Sequence, residues 1–133
     1  MATNTELVQT LYAAFGRGDL KTILDNCASD VAWVSNGDPK TIPWTGARSG
    51  HDGATAFFAA LAGAVDFEAF EPRQFFPSGD TTIVLGFTRA RHKTGGRAAF
   101  DSEWVHVFTI GNGKLTRFQE FYDTAAIEHA LAA

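Results

Sequence analysis

The chain has 133 residues, of which 45% are hydrophobic and 20% charged, so we expect residues 1–133 to form one globular domain. A net charge of −4 argues against a nucleic-acid-binding protein, which usually carries a basic face. The N-terminus lacks the pattern of a signal peptide, Cys27 has no partner for a disulfide, and the longest apolar run is too short to span a membrane, so a cytoplasmic protein without a membrane partner is expected.

Two helical segments open the chain. Thr3 and Glu6 have the spacing of a capping box, and apolar residues follow at 3.6-residue periodicity until Gly16 ends the pattern. Asp19 is placed to cap a second, shorter helix, whose apolar residues extend to Cys27.

A short strand and a long loop come next. Residues 30–35 alternate as a strand does, with Trp33 and Ser35 on the same face. Residues 36–50 are rich in Gly, Pro and Thr and predict a loop that contains the apolar residue Trp44. A tryptophan in a long loop either covers the edge of the core or belongs to a functional site, and the sequence leaves both open.

The remaining elements are one helix, long strands and a final short helix. An Ala- and Phe-rich segment predicts a helix over about 50–63, after which the apolar period switches to two. We expect strands over 67–76, where Pro72 indicates an edge or a bulge, and over 81–93. Asp123, or the threonine after it, is expected to cap the last helix.

A cluster of basic residues lies at the end of the strand over 81–93. It comprises Arg89, Arg91, His92 and Lys93 and is followed by two glycines. We interpret it as the solvated end of a hairpin rather than a site for polyanions.

The segment 101–124 predicts a hairpin with an unusual inner face. Strand parity places His106 with Trp104 on one run and Glu120 with Tyr122 on the other. An even register would set His106 opposite Glu120, with Cβ atoms ~5 Å apart. Burial raises the pKa of a glutamate and lowers that of a histidine, whereas their mutual attraction does the reverse. Such a pair can therefore hold a proton near neutral pH. Equally, the two side chains can simply satisfy one another in a core or a binding cavity.

The four histidines show no spacing typical of metal ligands, and we predict neither a metal site nor a cofactor. By contrast, 12 Phe, 3 Trp and 2 Tyr are enough to fill a large core or line a pocket.

Four segments resemble the nuclear transport factor 2-like superfamily, and in particular its SnoaL-like branch. They are LYAAFGRGDL at 11–20, SDVAWV at 29–34, PWTGARSGHDGATAFFAAL at 43–61 and EWVHVFTIGNGKLTRFQEFYDT at 103–124. The resemblance implies an α+β fold in which a cone-shaped, curved, mixed or antiparallel sheet wraps on three N-terminal helices, with a short C-terminal helix. The order of the predicted elements favours the same class.

The resemblance also suggests the chemistry. SnoaL-like cyclases use an acidic residue on the last strand and a histidine on the preceding strand, which match Glu120 and His106 here. Ketosteroid isomerases, which share the superfamily, place their tyrosine, base and protonated acid where this chain has Leu11, Ser35 and His106. None of those three groups is retained, so the steroid isomerase mechanism is not expected.

The first hypothesis is therefore a cofactor-independent enzyme that isomerises, cyclises or dehydrates a hydrophobic carbonyl compound, with His106 and Glu120 as acid/base groups. The residues expected to shape its substrate pocket are Tyr12, Trp33, Trp44, Phe58, Trp104 and Tyr122. The alternative is a non-catalytic domain of the same fold that binds a ligand or another protein.

The opposite face of the hairpin is also partly apolar. Val105, Val107 and Phe121 lie there among Arg117 and Gln119. Because helices on one side cannot cover this face, we expect a homodimer through the outer face of the sheet. The resemblance agrees, since members of the superfamily commonly pair through their sheets.

Overall fold

The computed structural model describes residues 3–132, which form four helices and one six-stranded sheet. The helices are α1 (Asn4–Gly16), α2 (Leu20–Asp25), α3 (Gly50–Ala64) and α4 (Thr124–Ala132). The strands are β1 (Cys27–Ser35), β2 (Gly46–Ser49), β3 (Val65–Ser78), β4 (Thr81–His92), β5 (Ala99–Gly111) and β6 (Lys114–Tyr122). The predicted α+β class is confirmed.

The sheet is mixed and its strands run in the order β2-β1-β6-β5-β4-β3. β1 and β6 are parallel, whereas the other neighbours are antiparallel. β3 forms one edge, and its register with β4 shifts between Phe67 and Ala69 and again between Pro72 and Gln74. The predicted edge or bulge at Pro72 is thus confirmed, and such irregularities bend a sheet.

The predicted helix caps are present. Thr3 Oγ1 accepts from the amide of Glu6 at 3.1 Å, and the Glu6 carboxylate accepts from the amide of Thr3 at 3.1 Å. Asp19 accepts from the amide of Thr22 at 3.1 Å at the start of α2. Asp123 accepts from the amide three residues further on at 2.9 Å, which fixes the start of α4.

Helices cover one face of the sheet. Along β5 every even-numbered residue from 100 to 110 is buried, while the odd-numbered residues are exposed or half-buried. Within residues 3–132 no helix is long and apolar enough to cross a membrane.

The boundary between α2 and β1 differs from the prediction. β1 begins at Cys27, which the periodicity assigned to the end of α2. The backbone of Asn26 accepts from the amide of Leu115 at 2.8 Å, and Cys27 then pairs with Leu115. Pairing with β6 therefore ends the helix, a long-range effect that local periodicity does not reveal.

The predicted loop over 36–50 contains a strand that the sequence did not indicate. β2 lies at 46–49 and pairs with β1 from Ser35–Gly46 to Ala32–Ser49. Its four residues are too few to show an alternating pattern, and the pairing with β1 makes it a strand.

His92 was expected at a solvated hairpin end, and this was wrong. Arg89 and Arg91 are exposed and pair with Glu68, but His92 is buried and its Nε2 lies 3.0 Å from the carbonyl of Ile127. The even parity of His92 on β4 places it on the inner face, where it contacts α4.

Candidate functional site

His106 and Glu120 lie opposite one another on β5 and β6. Nε2 of the imidazole is 3.4 Å from Oε2 of the carboxylate, and the two residues are only 5% and 8% exposed. The neighbouring pair Trp104 and Tyr122 is also in register, so the predicted pairing of the hairpin is confirmed.

Three further side chains extend this pair into a chain of hydrogen bonds. The hydroxyl of Tyr12 on α1 is 2.7 Å from Nδ1 of His106. On the other side, Ser35 Oγ donates to Oε1 of Glu120 at 2.7 Å and lies 2.6 Å from the hydroxyl of Tyr122. An imidazole, a carboxylate and three hydroxyls are thus connected beneath the helices.

The directions of these bonds follow from the number of protons available. A carboxylate has only acceptors, so Nε2–H of His106 donates to Glu120 and Nδ1 accepts from Tyr12. The Ser35 hydroxyl has one proton and donates it to Glu120, so the Tyr122 hydroxyl donates to Ser35 Oγ. Every proton in the chain therefore points towards Glu120.

Burial keeps the other groups of the chain neutral. Desolvation lowers the pKa of His106 despite its hydrogen bond to Glu120 and the attraction of that charge. Desolvation also raises the pKa of Tyr12 and of Tyr122, and the charge of Glu120 adds to both shifts.

The imidazole is held between aromatic rings. Trp104 stacks on His106 with ring centroids 3.8 Å apart and an interplanar angle of 15°. The indole N–H of Trp104 donates to Thr88 Oγ1 at 2.9 Å, which fixes the ring. The ring occupies the space that a side chain at Gly86 would need.

Two small cavities, each of about 60 Å³, are lined in part by Glu120. Among the predicted pocket residues, Tyr12, Trp33 and Phe58 line the first cavity, and Trp44, Trp104 and Tyr122 line the second. Both cavities are lined by Leu61, Phe70, His106 and Glu120. The six residues expected to share one pocket therefore surround two cavities.

An open groove of about 690 Å³ lies outside the cavities. It runs between the end of α1, the end of α3 and the start of β3, and it shares Leu61 and Phe70 with both cavities. These two half-buried side chains therefore separate the groove from the carboxylate.

Trp44 covers the second cavity from the loop that precedes β2. It is 4% exposed, and its ring centroid lies 6.5 Å from that of Tyr122. The side chain of Arg48 donates to the carbonyl of Trp44 at 2.8 Å and anchors the loop.

Sequence reasoning assigned no role to Ser35 and did not include Phe70 among the pocket residues. Ser35 lies on the same strand face as Trp33, which indicated that its side chain points inwards. Its hydrogen bond to Glu120 could not be predicted, because the two residues are 85 positions apart in the sequence. In residues 3–132, no group of three metal-ligating side chains lies close enough to hold a metal ion.

Comparison with known proteins identifies the family. Residues 8–118 match the SnoaL-like domain family. An uncharacterised protein of Mycobacterium tuberculosis is 31% identical over 124 residues, which cover 92% of each chain. A crystal structure of an NTF2-like protein from Burkholderia xenovorans is 31% identical, covers 96% of this chain and 95% of that chain, and superposes with a TM-score of 0.86. The structure of TerC co-crystallised with polyporic acid is 27% identical, covers 98% of each chain and gives a TM-score of 0.79. The chain belongs to the SnoaL-like family of the nuclear transport factor 2-like superfamily.

Proposed function

We propose that this protein binds a small apolar carbonyl compound among its aromatic side chains and that Glu120 acts on it as an acid/base group, without a cofactor. The observation that carries the proposal is a buried carboxylate whose two oxygens are contacted by Ser35 and His106, on a residue that lines two aromatic cavities. Isomerisation, cyclisation and dehydration of carbonyl compounds can all begin with removal of a proton from the carbon next to the carbonyl group.

The proposed step is proton abstraction next to a carbonyl group. An oxygen of Glu120 takes the proton, the C–H electron pair moves into an enolate, and the proton is returned at the same or another carbon. A carboxylate shielded from water is suited to this work because no hydration shell must be removed at the moment of reaction. His106 holds the carboxylate in place through Nε2–H.

Binding requires the two cavities to join. Each of about 60 Å³ is well below the roughly 300–1,000 Å³ of pockets that hold drug-sized ligands. Leu61 and Phe70 border both cavities and the open groove, so movement of these side chains would admit a ligand. The relative TerC, crystallised with polyporic acid, supports small-molecule binding by this fold.

A non-catalytic binding protein is the second candidate. It is favoured by the engagement of both oxygens of Glu120, one with Ser35 at 2.7 Å and the other with His106 at 3.4 Å. A carboxylate held in this way can be a fixed polar contact for a bound ligand that undergoes no reaction.

Exchange of α-protons separates the two candidates. The protein is mixed with 1-indanone in D₂O, and loss of the C2 proton signal is followed by NMR. We expect exchange above the buffer rate with the wild type, the buffer rate with Glu120→Gln, and wild-type exchange with Glu103→Gln, which changes an exposed glutamate of β5. Binding of 1-indanone without added exchange would contradict catalysis and leave the binding function. Absence of binding would contradict both.

We also propose that the protein pairs with a second copy through the outer face of its sheet. Leu85, Val105 and Phe121 lie side by side on β4, β5 and β6. Leu85 is 36% exposed and Phe121 is 41% exposed, so the row offers an apolar surface to a partner.

A further inference from the structure

The indole N–H of Trp33 has no hydrogen-bond partner among the described residues. Trp33 is 4% exposed and lines the first cavity. Buried donors are almost always paired, so the unpaired N–H of a residue that lines a cavity requires an explanation. Trp104 provides the contrast, because its indole N–H donates to Thr88 at 2.9 Å.

The surroundings of the Trp33 ring are aromatic. Its ring centroid lies 4.4 Å from that of Phe118, 5.3 Å from that of Phe58 and 5.6 Å from that of Phe57. Phenyl rings provide no strong acceptor for an indole N–H. A ligand oxygen in the adjoining cavity would supply one.

The register of the sheet places Trp33 two residues before the partner of Glu120. On β1, Trp33 pairs with Phe118 of the parallel strand β6, and Ser35, two residues on, pairs with Glu120. Trp33 and Glu120 line the same cavity. A ligand that fills this cavity would therefore contact both residues.

The charge of the cavities limits what that ligand can be. Neither cavity is lined by Lys or Arg, and both are lined by Glu120. An anionic ligand would be buried without a counter-ion and next to a carboxylate, which is strongly unfavourable. The site is suited to an uncharged ligand with an acceptor oxygen.

We propose that Trp33 Nε1–H binds the carbonyl oxygen of an uncharged cyclic or aryl ketone, with the adjacent carbon directed towards Glu120. This rests on the proposed function and specifies its ligand class. As the proton leaves that carbon for Glu120, the electron pair shifts onto the carbonyl oxygen, and the bond from Trp33 strengthens with the growing negative charge.

The first test observes the indole directly. In ¹H–¹⁵N spectra of the labelled wild type, the Trp33 N–H signal, assigned by its absence in Trp33→Phe, should move downfield on addition of 1-indanone. Indane, which has the same rings without the oxygen, should produce no such shift. The N–H of Trp104, already bonded to Thr88, is the internal control and should move little with either probe.

The second test compares dissociation constants of the same two probes. The wild type should bind 1-indanone about tenfold more tightly than indane, as one additional hydrogen bond in a buried site allows. Trp33→Phe should lose this preference and bind the two probes with similar affinity, and far-ultraviolet circular dichroism checks that the variant is folded.

Two results would overturn the assignment. One is binding of 1-indanone with no movement of the Trp33 N–H signal, a measurement that needs only folded wild type. The other is a Trp33→Phe variant that keeps the preference for the ketone. Failure of both probes to bind the wild type would instead overturn the proposed function, and this inference with it.

Discussion

Nε2 of His106 lies 3.4 Å from Oε2 of Glu120, across neighbouring strands and beneath the helices. Burial outweighs the attraction of the carboxylate, so the pKa of His106 lies below its ordinary value of 6.5. The pair is thus a neutral imidazole donating to a carboxylate rather than an ion pair.

The lowered pKa of His106 makes stability depend on pH. Below pH 6.5 the unfolded chain binds a proton at this residue that the folded protein resists, so the free energy of unfolding should fall as pH decreases through 6.5. Urea denaturation at neutral and mildly acidic pH should reveal this fall in the wild type and a smaller one in His106→Gln. A difference between the two proteins that does not vary with pH would contradict the shift.

Replacing Ser35 with alanine should destabilise the protein by about 1–3 kcal/mol, because Glu120 and Tyr122 each lose a buried hydrogen-bond partner. The control is Ser78→Ala, at the exposed end of β3, which should change the free energy of unfolding by less than about 0.5 kcal/mol. Equal changes in the free energy of unfolding for the two variants would mean that the Ser35 hydroxyl does not belong to the hydrogen-bonded chain around Glu120.

Gly86→Ala should displace the ring of Trp104, because a Cβ at this position overlaps the indole and approaches the carbonyl of Glu71 to 2.7 Å. We expect the free energy of unfolding to fall by about 1–3 kcal/mol and the stacking of Trp104 on His106 to weaken. Gly63→Ala, in α3 with no atom within 4 Å of the added Cβ, should instead stabilise by up to about 1 kcal/mol. Thermal denaturation and the near-ultraviolet circular dichroism of Trp104 would measure both effects. Retention of wild-type stability by Gly86→Ala would contradict the packing described.

Phe121→Lys should convert the proposed dimer to a monomer by placing a charge in the apolar row of the outer face. Phe67→Lys is the matched control, since Phe67 is similarly exposed, at 38%, but lines the groove above the cavities. Sedimentation velocity should show a dimer for the wild type and the control. A monomeric wild type, or a dimer that survives Phe121→Lys, would contradict the proposed interface.

The sequence was sufficient to predict the features that depend on near neighbours in the chain. The capping box at Thr3, the caps at Asp19 and Asp123 and the pairing of His106 with Glu120 all follow from short spacings or strand parity. The turn alone would set His106 opposite Gln119, and a register shift between Thr109 and Ile110 brings Glu120 opposite His106. The alternation of apolar residues on both runs is what allowed the pair to be predicted.

The features that depend on distant segments were not predictable. Tyr12 was expected in the pocket, but its bond to His106 joins positions 94 residues apart, and the contact of Ser35 with Glu120 requires β1 to lie parallel to β6. The division of the pocket into two cavities depends on where Leu61 and Phe70 settle between helix and sheet. Neither arrangement leaves a periodic signal in the sequence.

In the proposed function Glu120 is the base, and the hydrogen-bonding protons of Tyr12, His106, Ser35 and Tyr122 point towards it. The ¹⁵N NMR signals of the His106 imidazole, assigned with His106→Gln, test this arrangement because they report which ring nitrogen carries hydrogen. We expect a neutral ring at neutral pH, with hydrogen on Nε2 and none on Nδ1. Hydrogen on Nδ1, alone or in a doubly protonated ring, would contradict it.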